Sequence, residues 1–140
     1  MKNIIFAITL ITISIYCYGQ SSDTEIYYKG EGVYILLIDA NTNVVINKSP
    51  EGKNPRITYD TFFKNYLIIY TDENGNMAPA KFSYVNTTSE GIVRVKNNNM
   101  IHEVGDYISN KGLLIFTSEE LIEGKYYGAL VIEKLVRVNK

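Results

Sequence analysis

Cysteine is almost missing from this chain, tryptophan is absent, and histidine occurs once, as His102. The one cysteine is Cys17, inside the first nineteen residues. If those are removed, no disulfide, thiol nucleophile or thiolate metal site remains. One histidine and no cysteine exclude a zinc site built on those ligands. No tryptophan means none of the broad aromatic platforms that commonly stack on sugars. An excess of charge of either sign is also lacking. Fourteen basic residues face fifteen acidic ones, a net of −1, so there is no basic stripe to hold nucleic acid. The longest apolar run, from Ile4 to about Cys17, falls short of the ~20 residues that span a bilayer.

What that run does have is the form of a secretory signal. Lys2 supplies a positive start, Ile4–Ile15 is apolar apart from small hydroxyls, and Cys17-Tyr18-Gly19 places small residues where a signal peptidase reads. The expected cut is Gly19/Gln20, giving residues 1–19 as signal and 20–140 as one domain. The expected location is periplasmic or extracellular. Two alternatives are an uncleaved membrane anchor and acylation of Cys17, the latter opposed by bulky Tyr16 where lipoprotein processing wants a small residue. The chain is rich in Ile, Asn, Lys and Tyr. That bias matches an AT-rich coding sequence, and with the short signal it suggests a bacterial protein.

Beyond the signal, nearly every segment predicts a strand. Gly32–Ile38 is β-branched and aromatic, and Val44-Val45-Ile46 returns from it. Ser49–Pro55, with two prolines and a glycine, predicts a loop. Asp60 is placed to cap a turn over Thr61–Lys64. Ile92–Lys96 and Met100–Val104 flank Asn97-Asn98-Asn99 as a hairpin, and Leu113–Thr117 and Tyr126–Val138 follow. Eight or nine short antiparallel strands without a repeat predict an all-β fold. A meander forming an up-and-down barrel or half-barrel fits best. A two-sheet sandwich is the alternative, with at most one or two short helical turns.

The sharpest local signal is Asn74-Gly75 between Tyr66–Thr71 and Ala78–Val85. A two-residue type I′ tip there sets Leu67 opposite Phe82. Leu67, Ile69, Ala80, Phe82 and Tyr84 then face the core. Tyr66, Ile68 and Tyr70 face outward and are the expected binding residues. Pro79 falls where its missing N–H points away from the hairpin, toward an edge or bulge. Ten of the twelve tyrosines lie after residue 19. Tyrosine pairs a large apolar area with a hydroxyl, which suits interfaces as well as strands.

No catalytic constellation emerges. His102 has Glu103 beside it, but strand neighbours point to opposite faces, so His102 is expected on a wet face. Asp72–Asn76 has oxygen ligands at alternate positions, yet its glycine and its twelfth residue, Ser83, do not suit a calcium loop. No glycine-rich phosphate loop or nucleophile elbow is present. No catalytic residue, metal site or cofactor is therefore expected. The expected function is non-enzymatic binding of a small apolar ligand or another envelope protein. A carboxylate-dependent hydrolase and a periplasmic inhibitor or immunity protein are the alternatives.

Mass spectrometry of the protein from its host should find Gln20, open or cyclised, at the N-terminus. Lipid on Cys17 would replace this with acylation, and intact Met1 in the membrane fraction with an anchor.

Overall fold

The protein is described by a computed structural model over residues 24–139. The signal, its cut and Cys17 lie outside those residues. Ten strands and one helical turn follow in order: β1 (Glu25–Lys29), β2 (Gly32–Asp39), β3 (Val45–Asp60), β4 (Asn65–Asp72), β5 (Met77–Thr87), β6 (Val93–Asn97), β7 (Met100–Tyr107), α1 (Ile108–Lys111), β8 (Leu113–Ser118), β9 (Tyr126–Glu133) and β10 (Val136–Val138). From β2 to β9 each strand pairs antiparallel with its successor, and β9 pairs back onto β2. The result is a closed eight-stranded up-and-down barrel, the expected meander rather than the sandwich. β1 and β10 extend it at one end, β1 pairing with both β3 and β10.

Closure explains the burial pattern. An eight-stranded barrel has a lumen just wide enough for side chains to fill. Ile68, Phe116, Leu114, Ile132, Val33 and Val95 are all 0% exposed, and Ile57 is 1%. Phe82 and Phe116 stack at 3.9 Å between ring centroids, 8° from parallel. Tyr66 meets Phe116 edge-on at 5.3 Å, and Tyr59 stacks on Tyr66 at 4.5 Å. The outside carries Lys81, Lys96 and Glu103, all exposed, and a half-buried Arg94. Apolar within and charged without is the inverse of a membrane-spanning barrel.

The β4–β5 hairpin departs from expectation by one residue. Tyr66, not Leu67, is opposite Phe82, and Thr71 is opposite Met77. The Asp72 carboxylate is the cause. Its Oδ1 accepts the N–H groups of Asn74 and Asn76, both at 2.9 Å. This draws the tip into a three-residue loop, with Gly75 at φ 81° and Asn74 outside the left-handed region. A two-residue type I′ turn would need both at positive φ. That turn does occur, at Asn98-Asn99, with φ of 48° and 68° between Asn97 and Met100. A one-residue shift exchanges the two faces of a strand. Leu67 therefore points out, 39% exposed, and Tyr66, Ile68 and Tyr70 point in. Pro79 does lie at an open side as expected, because β6 pairs with β5 only from Ser83 onward.

The second departure is β3. Ser49–Pro55, expected as a loop, is the middle of a 16-residue strand. Proline is tolerated at bulges and where no strand takes its missing N–H. The β2–β3 register shifts between Val33 and Tyr34, beside Pro50. The β3–β4 register shifts between Lys53 and Arg56, around buried Pro55, where Asn54 has φ 53°. Gly52 lies between these bulges. A Cβ there would come within 2.3 Å of the Tyr70 ring and 2.6 Å of the Thr71 carbonyl. β3 thus hands its pairing from β2 to β1 on one side and takes up β4 on the other. The Tyr126–Val138 strand is likewise broken, at Lys134 (φ 57°).

Nothing lies within 4 Å of a Cβ built on Gly75, so only backbone strain opposes substitution there. Gly75→Val should cost about 1–2 kcal/mol, and Gly75→Asn much less, since asparagine tolerates left-handed φ. Urea unfolding of both variants checks this. Equal costs would contradict the three-residue tip.

Candidate functional site

Tyr66, Ile68 and Tyr70 do come together, but inside the barrel. Tyr66 is 5% exposed and Ile68 0%. The Tyr70 hydroxyl donates to Glu51 Oε1 at 3.2 Å. Burial raises the Tyr66 and Tyr70 phenols above their ordinary value, helped at Tyr66 by Tyr59 and at Tyr70 by the Glu51 charge. These residues hold the core, which corrects their expected outward placement.

The outer face of the same strand holds the more suggestive surface. Leu67 and Ile69 line a groove of about 500 Å³ with Tyr27 of β1 and Val138 of β10. Pairing puts them on one face. Tyr27 is opposite Val138 and Thr58, Leu67 opposite Thr58 and Lys81, and Ile69 opposite Arg56. Lys29 and Arg56 are also directly opposite each other there. Both are exposed, and neither pairs with a carboxylate among the described residues. Like charges facing across a ladder are unfavourable unless an anion relieves them. The groove is thus apolar along its floor and cationic along its rim. Its signal in sequence is the alternation in Tyr66–Thr71, of which Leu67 and Ile69 form the outer and not the expected inner face.

Two other depressions carry titratable groups. A depression of about 480 Å³ includes Glu103, Glu119, Thr117 and Tyr127. Arg94 grips Glu119 through both carboxylate oxygens, Nε at 2.5 Å and Nη2 at 2.8 Å. That grip holds Glu119 below the usual carboxylate range, as an ion-pair partner and not a proton donor. A second depression of about 610 Å³ opens at the β10 end, where Tyr28 lies between Asp106 and Arg137. Burial first, then the Asp106 charge, raises Tyr28, so its phenol stays protonated. Asp106 itself accepts the Ile108 N–H at 3.1 Å, starting α1. Asp60 accepts those of Phe62 and Phe63, closing the β3–β4 turn as expected.

His102 is not on a wet face. It sits opposite Val95 and Ser118, half-buried, with its ring edge-on to Phe82 at 5.3 Å. Its Nδ1 lies 3.2 Å from the Met100 carbonyl oxygen. Burial pushes its pKa below the ordinary 6.5. Ring contact with the core thus accounts for this histidine. Among the described residues no cluster of His, Cys, Asp and Glu is arranged to hold a metal ion.

With protein-family models, curated proteins and solved structures as the comparison, none matches this chain.

The His102 environment has a pH consequence. Its folded pKa lies below the unfolded one, so its neutral form stabilises the fold fully above pH 6.5. That contribution is lost as pH falls through 6.5 toward the folded value. Thermal unfolding should show a steeper drop between pH 7 and 5 for the wild type than for His102→Gln. Parallel curves would place the ring in solvent.

Proposed function

We propose that this is an exported, non-enzymatic binding module that engages another envelope protein through the outer face of β1, β3 and β4. The single observation that carries this reading is the groove with apolar floor and cationic rim, Leu67 and Ile69 beside Lys29 and Arg56. The partner it suits presents an apolar segment edged with carboxylates, which would relieve the Lys29–Arg56 repulsion. A lumen filled by Phe82, Phe116 and Tyr66 leaves little room for a ligand carried inside, so binding is read onto the outside. Glu119, tied to Arg94, weakens the hydrolase alternative. An inhibitory or immunity role remains compatible with the same face, since it too is protein binding.

A photoreactive residue at position 67 tests this in the host envelope. The expected result is a discrete protein adduct from position 67 and none from outward position 96. Leu67→Asp should abolish complex formation while leaving the melting temperature within a few degrees. Arg56→Glu should slow association and remove much of its salt dependence. Equal adducts from both positions, or binding indifferent to Leu67→Asp, would sink the proposal. Competition by a small apolar molecule alone would shift it to ligand binding.

A further inference from the structure

The barrel is closed, yet one stretch of β3 is not covered. β4 pairs with β3 only from Gly52 onward, and β2 and β1 occupy the other side. Val45–Glu51 therefore shows one unpaired edge, with no strand against it among the described residues. The adjoining side chains are apolar and wet: Val44 is 55% exposed, Val45 49% and Ile46 54%. The backbone on that edge is available too. The Val44 carbonyl accepts the Asp39 N–H at 2.9 Å, so Val44 faces β2. Alternation along an antiparallel strand then turns the N–H and C=O of Val45 to the open side.

An exposed apolar edge is a template for another strand, and proteins ordinarily blunt it. Here the blunting is partial. Pro50 removes a donor, and the register shift between Leu37 and Ile38 bends the strand at Ile46. These confine any added strand to the few residues around Val45.

We infer that this edge pairs with the same edge of a second copy of the chain, antiparallel about a two-fold axis near Val45. Its sequence is self-complementary in that arrangement. Pairing centred on Val45 sets Val44 opposite Ile46 of the second copy, and Asn43, left-handed at φ 58° with its N–H bonded to the Asp39 carbonyl, ends the ladder. No residue from Asn43 to Asn47 is charged, so the two edges bring no like charges together. The nearest cation, Lys48, is already engaged. Its Nζ lies 2.6 Å from Glu133 Oε1 and 4.2 Å from the centre of the Tyr34 ring. A charged partner strand would find nothing to answer it at this edge. The two-fold also closes the contact, so association stops at a dimer. A pairing of about three residues, Val44 to Ile46, buries well under the roughly 1,200 Å² of a stable interface. The dimer is therefore weak and concentration-dependent.

Sedimentation velocity from micromolar to millimolar protein tests this, together with amide exchange at Val45. The expected result is a reversible monomer–dimer equilibrium in which the Val45 N–H becomes protected as concentration rises. Val45→Lys places two ammonium groups opposite each other. It should weaken dimerisation at least about tenfold. Met77→Lys, at a 75% exposed site away from the edge, should leave it unchanged. Val45→Pro, which removes the open-side donor, gives a second route to the same loss. A protein that stays monomeric throughout, or a dimer indifferent to Val45→Lys and Val45→Pro, would overturn the inference. So would an unprotected Val45 N–H in a dimer.

Discussion

The stack of Phe82 on Phe116 at the centre of the barrel is the contact on which the rest depends. The two rings, 3.9 Å apart, come from β5 and β8, strands not paired with each other, and meet across the lumen. Tyr66 and His102 close on them edge-first, bringing β4 and β7 to the same point. A strand ladder specifies only its neighbours. The rings specify which strands face each other across the lumen. In a closed barrel with so narrow a lumen, few residues can serve this purpose. Removing one of these rings leaves a cavity that the surrounding strands cannot collapse into without breaking the ladder.

The fold class was legible because it rests on composition and period. β-branched and aromatic runs of strand length, separated by Asn, Asp and Gly turns, leave little but an antiparallel meander. Closure itself was only one of several arrangements that such a pattern allows. What decided it is the pairing of β9 with β2, between residues about a hundred positions apart, such as Val33 and Ile132. No local signal in Gly32–Ile38 or Tyr126–Val138 names that partner.

The candidate site was half legible, and the missing half traces to one carboxylate. Tyr66–Thr71 is apolar on both faces, so its alternation does not say which face is inside. The decision fell to the turn. Asn-Gly favours a two-residue tip, but Asp72 binds two backbone N–H groups at once and enlarges the loop by one residue. Side-chain capping outweighed the backbone preference, and the face assignment of the whole strand reversed with it. The loop expected at Ser49–Pro55 failed for a related reason. Proline and glycine mark places where pairing stops, and in β3 it stops at bulges and at an open edge without ending the strand.

Tyr27 and Tyr28 bring these threads together. Neighbours on one strand, they point to opposite faces: Tyr28 pairs across to Ile57 in the core, and Tyr27 to Thr58 outside. The abundance of tyrosine therefore has no single meaning. Inside, Tyr59 and Tyr66 fill a barrel that contains no tryptophan, their phenols kept protonated by burial. Outside, Tyr27 flanks a groove whose floor is Leu67 and Ile69. The described lumen is occupied by aromatic packing: Phe82 on Phe116, Tyr66 against Phe116 and Tyr59 on Tyr66. Among the described residues, the facing cations Lys29 and Arg56 and the apolar edge at Val45 are left unrelieved, and both lie on the exterior. Selection for folding alone would favour relieving both, by an acid opposite Arg56 and a lysine at Val45. Both sit on an otherwise well-satisfied barrel, in which no buried side-chain polar atom is left unpartnered among the described residues, and it is these two local conflicts on which the proposed contacts are built.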